Sequence, residues 1–167
     1  MHHPLPFEEI MAYYEKDVFN YSYALIGKQE HAEEITQDVF VRVFHSIHLF
    51  RGDSSFKTWL FTITRNVTQD FKRKQFDPRI VLVDDIYPQE CSPSAESDYF
   101  QFRHESEMCE IVLALPPKFR EVILLDVKYD RSMQEIATLL NISVGTVKSR
   151  LFRARARMSK LLIWREC

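Results

Sequence analysis

Apolar residues recur at three- and four-residue steps along most of the chain, the spacing that places them on one face of an α-helix. The pattern predicts seven helices, over about 7–24, 29–50, 56–76, 104–114, 117–129, 133–140 and 144–162. Gly27 is expected to end the first, because glycine readily adopts the left-handed conformation of a helix C-terminus. The apolar faces are expected to include Phe44 in the second helix, Trp59 in the third and Val127 in the fifth. The sequence therefore predicts an all-α fold.

The helical pattern stops between residues 78 and 103. This stretch carries three prolines and has no sustained hydrophobic period. Residues 78–110 hold 2 basic and 8 acidic residues, so the middle of the chain is markedly acidic. An unstructured stretch of this length is unusual inside a compact domain. We therefore expect two small helical domains, 1–77 and 104–167, joined by a flexible acidic linker over 78–103.

Composition excludes several classes of protein. The 3 glycines among 167 residues form none of the Gly-rich phosphate loops of nucleotide-binding enzymes. The 3 cysteines lack the spacing of a zinc site or a disulfide framework, and His45 and His48 have no third ligand at metal-binding spacing. No run approaches the roughly 18 apolar residues of a membrane-spanning helix. We expect no catalytic residue, no metal, no cofactor, no membrane insertion and a cytoplasmic location.

Two short helices near the C-terminal end are joined by a sharp turn. Ser132 and Glu135 have the spacing of a capping box, in which each side chain binds the other residue's backbone amide. Asn141 tolerates the left-handed conformation that a tight turn needs, and Ser143 is suited to cap the helix that follows. A basic second helix after such a turn is typical of a DNA-binding helix-turn-helix.

The second of these helices has two unlike sides. Val147 and Leu151 belong to its apolar stripe, whereas Phe152 lies on the opposite side. Residues 144–165 carry seven basic side chains and no acidic one. Cations flanking small residues suit a helix lying in the major groove, with its first turns at the bases and its edges at the phosphates. The predicted DNA contacts are Ser143, Thr146, Lys148, Ser149, Arg150, Arg153 and Arg157.

The chain resembles a known family over both predicted domains. Residues 145–155 read Gly-Thr-Val-Lys-Ser-Arg-Leu-Phe-Arg-Ala-Arg. This string closely resembles the fourth conserved region of bacterial RNA polymerase sigma factors of the extracytoplasmic-function group. Residues 33–44 read Glu-Glu-Ile-Thr-Gln-Asp-Val-Phe-Val-Arg-Val-Phe and resemble the polymerase-binding helix of the second region. Residues 56–66 read Phe-Lys-Thr-Trp-Leu-Phe-Thr-Ile-Thr-Arg-Asn and resemble its promoter-melting segment.

The resemblance implies an alternative sigma factor that binds core RNA polymerase, directs initiation at −35 and −10 promoter elements, and is controlled by an anti-sigma factor. The implied polymerase contacts are the clamp helices of the largest subunit and the flap of the second-largest subunit. The implied polymerase-binding residues on this chain are Glu34, Gln37, Asp38 and Arg42. The implied −10 contacts are Phe56, Lys57, Trp59, Arg65, Asn66, Lys72 and Arg73.

The melting segment needs aromatic surfaces for flipped bases and cations for the strand. Phe56, Trp59 and Phe61 are the aromatic candidates. Trp59 falls on the apolar stripe, so a core position is favoured for it about two to one. We expect the pocket for a flipped base to come from the turn at residues 51–57.

Two other functions would fit part of this pattern. A stand-alone regulator could use the same helix-turn-helix, with the N-terminal half as a sensor or phosphoacceptor domain. That half lacks the alternating strands and acidic pocket of a receiver. A metal-dependent hydrolase could use the histidines and carboxylates, but no spacing of the H-E-x-x-H kind is present. Affinity for core polymerase separates the regulator from the sigma factor.

Overall fold

A computed structural model describes residues 6–75 and 106–166, and it gives side-chain environments for 6–75 and 110–163. Both described segments are helical and contain no strand, which confirms the all-α prediction. The chain divides into two compact units, Met1–Leu82 and Val83–Cys167. The predicted linker and the side chains of the three cysteines lie outside the described residues.

The first unit contains three helices that pack against one another. They are α1 (Phe7–Ile26), α2 (Gln29–Ser46) and α3 (Phe56–Gln75). A 3₁₀ turn, Ile47–Leu49, follows α2, so the helix predicted over 29–50 ends earlier than expected. The fully buried side chains of this unit include Tyr21, Ile35, Leu60 and Phe61, contributed by all three helices.

Local signals in the sequence set the ends of these helices. Gly27 has φ 73° and its amide donates to the carbonyl of Tyr23 at 2.7 Å, confirming that it ends α1. The Thr58 amide donates to Oγ of Ser55 at 3.2 Å, so the turn before α3 supplies its cap. Each interaction satisfies a backbone group that a helix terminus leaves unpaired.

The apolar faces of α2 and α3 differ from their predicted extent. Phe44 is 58% exposed, and its ring meets those of Phe7 and His45 edge to face, at 5.1 and 5.5 Å between ring centres. Trp59 is half-buried, whereas Phe61, expected to be available to bases, is fully buried against Tyr21. The prediction of a base-stacking role for Phe61 is therefore wrong, because a ring inside the bundle has no free face.

The second unit contains α4 (Ser106–Leu113), α5 (Pro117–Ile123), α6 (Met133–Leu140) and α7 (Val144–Glu166). The helix predicted over 117–129 changes at Leu124 into a π-helical turn that ends at Lys128. The Tyr129 amide donates to the carbonyl of Leu124, five residues back. The wider turn shifts the phase, so Val127 is 70% exposed and Tyr129 is buried. The prediction that Val127 faces the core is therefore wrong.

A buried arginine fixes the connection between α4 and α5. Arg120 is buried, and its Nη2 donates to the carbonyl oxygens of Leu113 at 2.6 Å and Leu115 at 3.0 Å. These carbonyl groups lie at and just beyond the end of α4, where the helix has no following turn whose amides could donate to them. Arg120 thus anchors the C-terminal end of α4 against α5.

Candidate nucleic-acid interface

Residues 132–143 form the predicted helix-turn-helix junction. The Glu135 amide donates to Oγ of Ser132 at 3.2 Å, and the Ser132 amide donates to Oε2 of Glu135 at 2.8 Å. This confirms the capping box at the start of α6. Asn141 has φ 53° and ends α6 in the left-handed conformation, as its residue type predicts. The junction is therefore specified by local hydrogen bonds on both sides of the turn.

The start of α7 is capped by a pair of hydroxyl groups. The Thr146 amide donates to Oγ of Ser143 at 3.0 Å, and the two side-chain oxygens lie 2.8 Å apart. This confirms Ser143 as the helix cap. Both residues are predicted DNA contacts, so the hydroxyls that orient the first turn of α7 are the same ones that a base or phosphate would meet.

The two sides of α7 are as different as predicted. Val147, Leu151 and Ala154 are buried, and α7 packs against α5 and α6. The opposite side, formed by Gly145, Ser149, Phe152 and Ala156, is exposed. Phe152 is 75% exposed in the middle of it. The helical period places Phe152 there, but the list of predicted contacts, built from cations and hydroxyls, leaves it out.

The cations along α7 differ in their surroundings. Lys148 and Arg153 are exposed, and Arg150 is half-buried. Arg155 donates from Nη2 to Oδ2 of Asp126 at 2.8 Å. The Arg157 guanidinium lies over the Phe119 ring, 4.9 Å from its centre. The side chains of Arg155 and Arg157 are therefore engaged with their own unit.

The loop before α3 forms a small cleft. Its volume is about 230 Å³, and it is lined by Leu49, Phe50, Arg51, Asp53, Ser54 and Trp59. The ring centre of Trp59 lies 5.3 Å from that of Phe50 and 5.5 Å from that of Phe56. Trp59 thus packs against Phe50 and Phe56 and also forms part of the wall of the cleft.

Lys57, a predicted −10 contact, is bound within the first unit. Its Nζ lies 2.7 Å from Oδ2 of Asp17 on α1 and 5.8 Å from the centre of the Phe61 ring. Nearby, burial, reinforced by the phenol of Tyr13 and the charge of Asp17, raises the pKa of the Tyr14 phenol. Tyr14 therefore stays protonated at neutral pH and contributes no charge to this end of α3.

The outer side of α2 carries the predicted polymerase-binding residues. Glu34, Gln37, Asp38 and Arg42 are all exposed, and the same helix also exposes Val41 and Phe44. A cleft of about 420 Å³ between α1 and α2 adjoins this strip and is lined in part by Gln37, Val41 and Phe44. The strip therefore combines acidic, amide and apolar groups on one helix face.

The last turns of α3 carry the remaining predicted −10 contacts. Asn66 is exposed and Arg65 is half-buried. Lys72, nearly two turns further along α3, is half-buried as well. Arg73 is 74% exposed and its Nη1 lies 3.4 Å from Oδ1 of Asp70. Sequence reasoning did not predict that Asp70 also binds Arg42, with both Nη1 and Nη2 at 3.1 Å from Oδ2.

The described residues hold neither a metal-binding cluster nor a membrane-spanning helix. No three His, Cys, Asp or Glu residues are grouped so as to hold a metal ion among those whose side chains are described, 6–75 and 110–163. Within the same residues, no helix has both the length and the apolarity needed to cross a membrane.

Family models match both units of the chain. The model for sigma-70 region 2 matches residues 10–76, and that for sigma-70 region 4 matches residues 109–158. In an alignment of length 172, the chain is 30% identical to the ECF RNA polymerase sigma factor SigW of Bacillus subtilis. The alignment covers 93% of this chain and 88% of SigW. This chain belongs to the ECF RNA polymerase sigma factors. It is an alternative sigma factor, the kind of protein that directs RNA polymerase to particular promoters.

Further relatives agree with this assignment. This sigma factor is 31% identical to the ECF sigma factor SigE of Mycolicibacterium smegmatis, over 93% of its own length and 61% of that protein. Among solved structures, it matches the sigma factor RpoE of Bartonella quintana, crystallised in complex with the anti-sigma factor NepR, with a TM-score of 0.70 and 25% identity. That match covers 93% of this chain and 96% of RpoE.

Proposed function

We propose that this sigma factor acts in the cytoplasm, where core polymerase and the chromosome lie, as a non-enzymatic specificity subunit. The first unit binds polymerase through α2 and captures the melted −10 strand at the loop and α3. The second unit reads the −35 duplex with α7. The observation that carries the proposal is the exposed side of α7, because its cations, hydroxyls and one large aromatic ring cover a face that the fold leaves open.

At the −35 element, the first turns of α7 lie in the major groove. Arg150 and Arg153 are placed to donate to base edges, of which guanine offers two acceptors for a guanidinium. Ser143, Thr146, Lys148 and Ser149 contact nearby bases and phosphates. Phe152 adds an apolar contact of the kind that recognises a thymine methyl group. Arg157 lies one turn beyond Arg153. Its guanidinium contacts a phosphate once it moves away from the Phe119 ring.

At the −10 element, the loop cleft receives one flipped base and Trp59 supplies an aromatic wall. The cleft is smaller than the roughly 300–1,000 Å³ of ordinary small-molecule sites, so a single ring system suits it better than a cofactor. Phe56 supports the Trp59 ring. Arg65, Asn66, Lys72 and Arg73 hold the backbone on either side, and Lys57 does so once its pair with Asp17 opens.

Polymerase binding is assigned to Glu34, Gln37 and Asp38, with Val41 and Phe44 as apolar contacts for the clamp helices of the largest subunit. Exposed aromatic and aliphatic side chains on a polar strip are typical of a protein interface. The second unit is assigned to the flap of the second-largest subunit. Arg42 was expected in the same set, but its guanidinium is engaged with Asp70, so we do not include it.

Control by an anti-sigma factor is supported by the related RpoE, which was crystallised with NepR. An anti-sigma factor that covers the α2 strip would compete directly with polymerase. Adding such a partner to the assay below should therefore inhibit initiation and release the protein from core enzyme.

The decisive experiment is promoter binding and run-off transcription on genomic fragments, with and without core polymerase, at physiological salt. We expect weak binding by the free protein, whose net charge is −2, and specific initiation with core enzyme. Tight, specific binding by the free protein with no effect of core enzyme would favour the stand-alone regulator instead.

A further inference from the structure

A single carboxylate on α3 holds two guanidinium groups from different helices. Arg42 of α2 donates from Nη1 and Nη2 to Oδ2 of Asp70, each at 3.1 Å. Arg73 of α3 approaches the other oxygen, with its Nη1 3.4 Å from Oδ1. Three charged side chains thus form one cluster at the surface that faces the proposed −10 strand.

The two arginines share Asp70 unequally. Arg42 makes two hydrogen bonds and has a side chain 47% exposed, whereas Arg73 makes one longer contact and is 74% exposed. Hydrogen bonds between ionised groups weaken as they lengthen and bend. Arg42 therefore satisfies most of the Asp70 charge, and Arg73 is the group that can leave the cluster.

Loss of Arg42 would change what Asp70 does. Asp70 and Arg73 are three residues apart on one helix, the spacing at which side chains of opposite charge pair. Without Arg42, the carboxylate has Arg73 as its remaining partner in the cluster and would hold it more firmly. A cation so held is a poorer partner for a phosphate, because two negative groups then compete for it.

We propose that Arg42 is a positioning residue for promoter binding and not a polymerase contact: it occupies Asp70 and so leaves Arg73 available to the DNA backbone. This assignment rests on the proposed function of α3 as the −10 segment. Because exposed ion pairs add little to folding stability, the effect of Arg42 falls on the charge presented to DNA, not on the fold.

The test compares holoenzymes carrying Arg42→Ala, Asp70→Asn, Arg73→Ala and the double variant Arg42→Ala/Asp70→Asn. Two quantities are measured: affinity for core polymerase, and affinity of the holoenzyme for a promoter fragment across a salt series. Lys16→Ala serves as control, since it removes one exposed positive charge from α1, to which no DNA role is assigned. Circular dichroism of each free variant checks that helix content is retained.

We expect Arg42→Ala to leave core affinity unchanged and to remove the equivalent of one phosphate contact. Between about 50 and 200 mM salt, the total loss of promoter affinity should then be about threefold smaller than for the wild type. Arg73→Ala should give the same slope. The double variant Arg42→Ala/Asp70→Asn should restore the wild-type slope, because the neutral amide no longer holds Arg73.

Reduced core affinity of Arg42→Ala would overturn the proposal and return Arg42 to the polymerase-binding set. Failure of Asp70→Asn to restore the slope in the double variant would overturn it as well, since a structural role for Arg42 predicts no rescue. A wild-type protein that neither binds core enzyme nor directs initiation would instead overturn the proposed function itself. The wild-type measurement therefore distinguishes failure of the Arg42 proposal from failure of the proposed function.

Discussion

The two surfaces proposed to bind DNA are built in opposite ways. On α7, the side that faces away from Val147 and Leu151 is open along several turns, and its groups point outward from a helix capped at its N-terminus. On α3 and its loop, Lys57 is bound to Asp17, Trp59 is half inside an aromatic cluster, and Arg73 shares Asp70 with Arg42.

The difference matches the two forms of DNA that the surfaces would meet. A duplex presents its base edges in a groove of fixed shape, so a rigid, preformed helix face can read it. A melted strand must be captured base by base, and each base needs an aromatic wall and a nearby cation. Side chains held in internal contacts are suited to that task where they can exchange an internal partner for the strand.

The largest expected effect comes from the buried side of α7. Leu151→Ala should destabilise the second unit by about 2–5 kcal/mol, through lost burial and the cavity left behind. Phe152→Ala, the neighbouring position on the exposed side, should change stability by no more than about 0.5 kcal/mol. Thermal or urea unfolding followed by circular dichroism measures both. Equal destabilisation by the two changes would contradict the division of α7 into a buried and a DNA-facing side.

Removing the wall of the loop cleft should separate melting from duplex binding. Trp59→Ala should weaken capture of the −10 strand by about 1–3 kcal/mol, the range for loss of one base–aromatic contact. Permanganate reactivity of promoter thymines measures melting, and a gel shift with the −35 duplex measures the other surface. Trp59→Phe is the control that keeps an aromatic face. A loss of −35 binding in Trp59→Ala would show that the change acts beyond the cleft.

Two arginines of α7 should differ in kind. Arg153→Ala should cost about 1–3 kcal/mol at the cognate −35 element and relax discrimination at one base position. Arg157→Ala should weaken all sequences about equally, and because its guanidinium covers Phe119 it should also lower the melting temperature of the second unit. Transcription across a library of −35 variants measures both. Uniform loss in both variants would make Arg153 a phosphate contact.

The smallest expected effect is at Gly145, in the first turn of α7. A Cβ at this position would meet only Oγ of Ser143, at 3.7 Å, so the second unit has room for alanine. Gly145→Ala should therefore stabilise the unit by up to about 1 kcal/mol, because alanine loses less backbone freedom in a helix. If DNA approaches this turn closely, the same variant should bind the −35 duplex more weakly. Unchanged binding would place the closest approach elsewhere on α7.

Much of the helical framework followed from the order of residues alone. Gly27, the Ser132–Glu135 capping box, Asn141 and Ser143 act on backbone groups within a few residues of themselves, so their effects need no knowledge of the fold. The buried side of α7 followed from the helical period for the same reason. The resemblance to the sigma family rested on the strings at 33–44, 56–66 and 145–155. All three lie within the residues that the two family models match.

The tertiary structure decided which charges and rings are free. Arg42 and Asp70 are 28 residues apart and meet because α2 packs against α3. Arg155 and Asp126 are 29 apart, and Lys57 meets Asp17 across α1 and α3. Phe44 and Val127 fit an apolar period, yet both are exposed. Phe44 is covered only in part by its neighbours, and Val127 lies on the π-helical turn. Periodicity assigns a residue to a side of its helix. Only packing decides whether another helix covers that side or brings an oppositely charged side chain close to it.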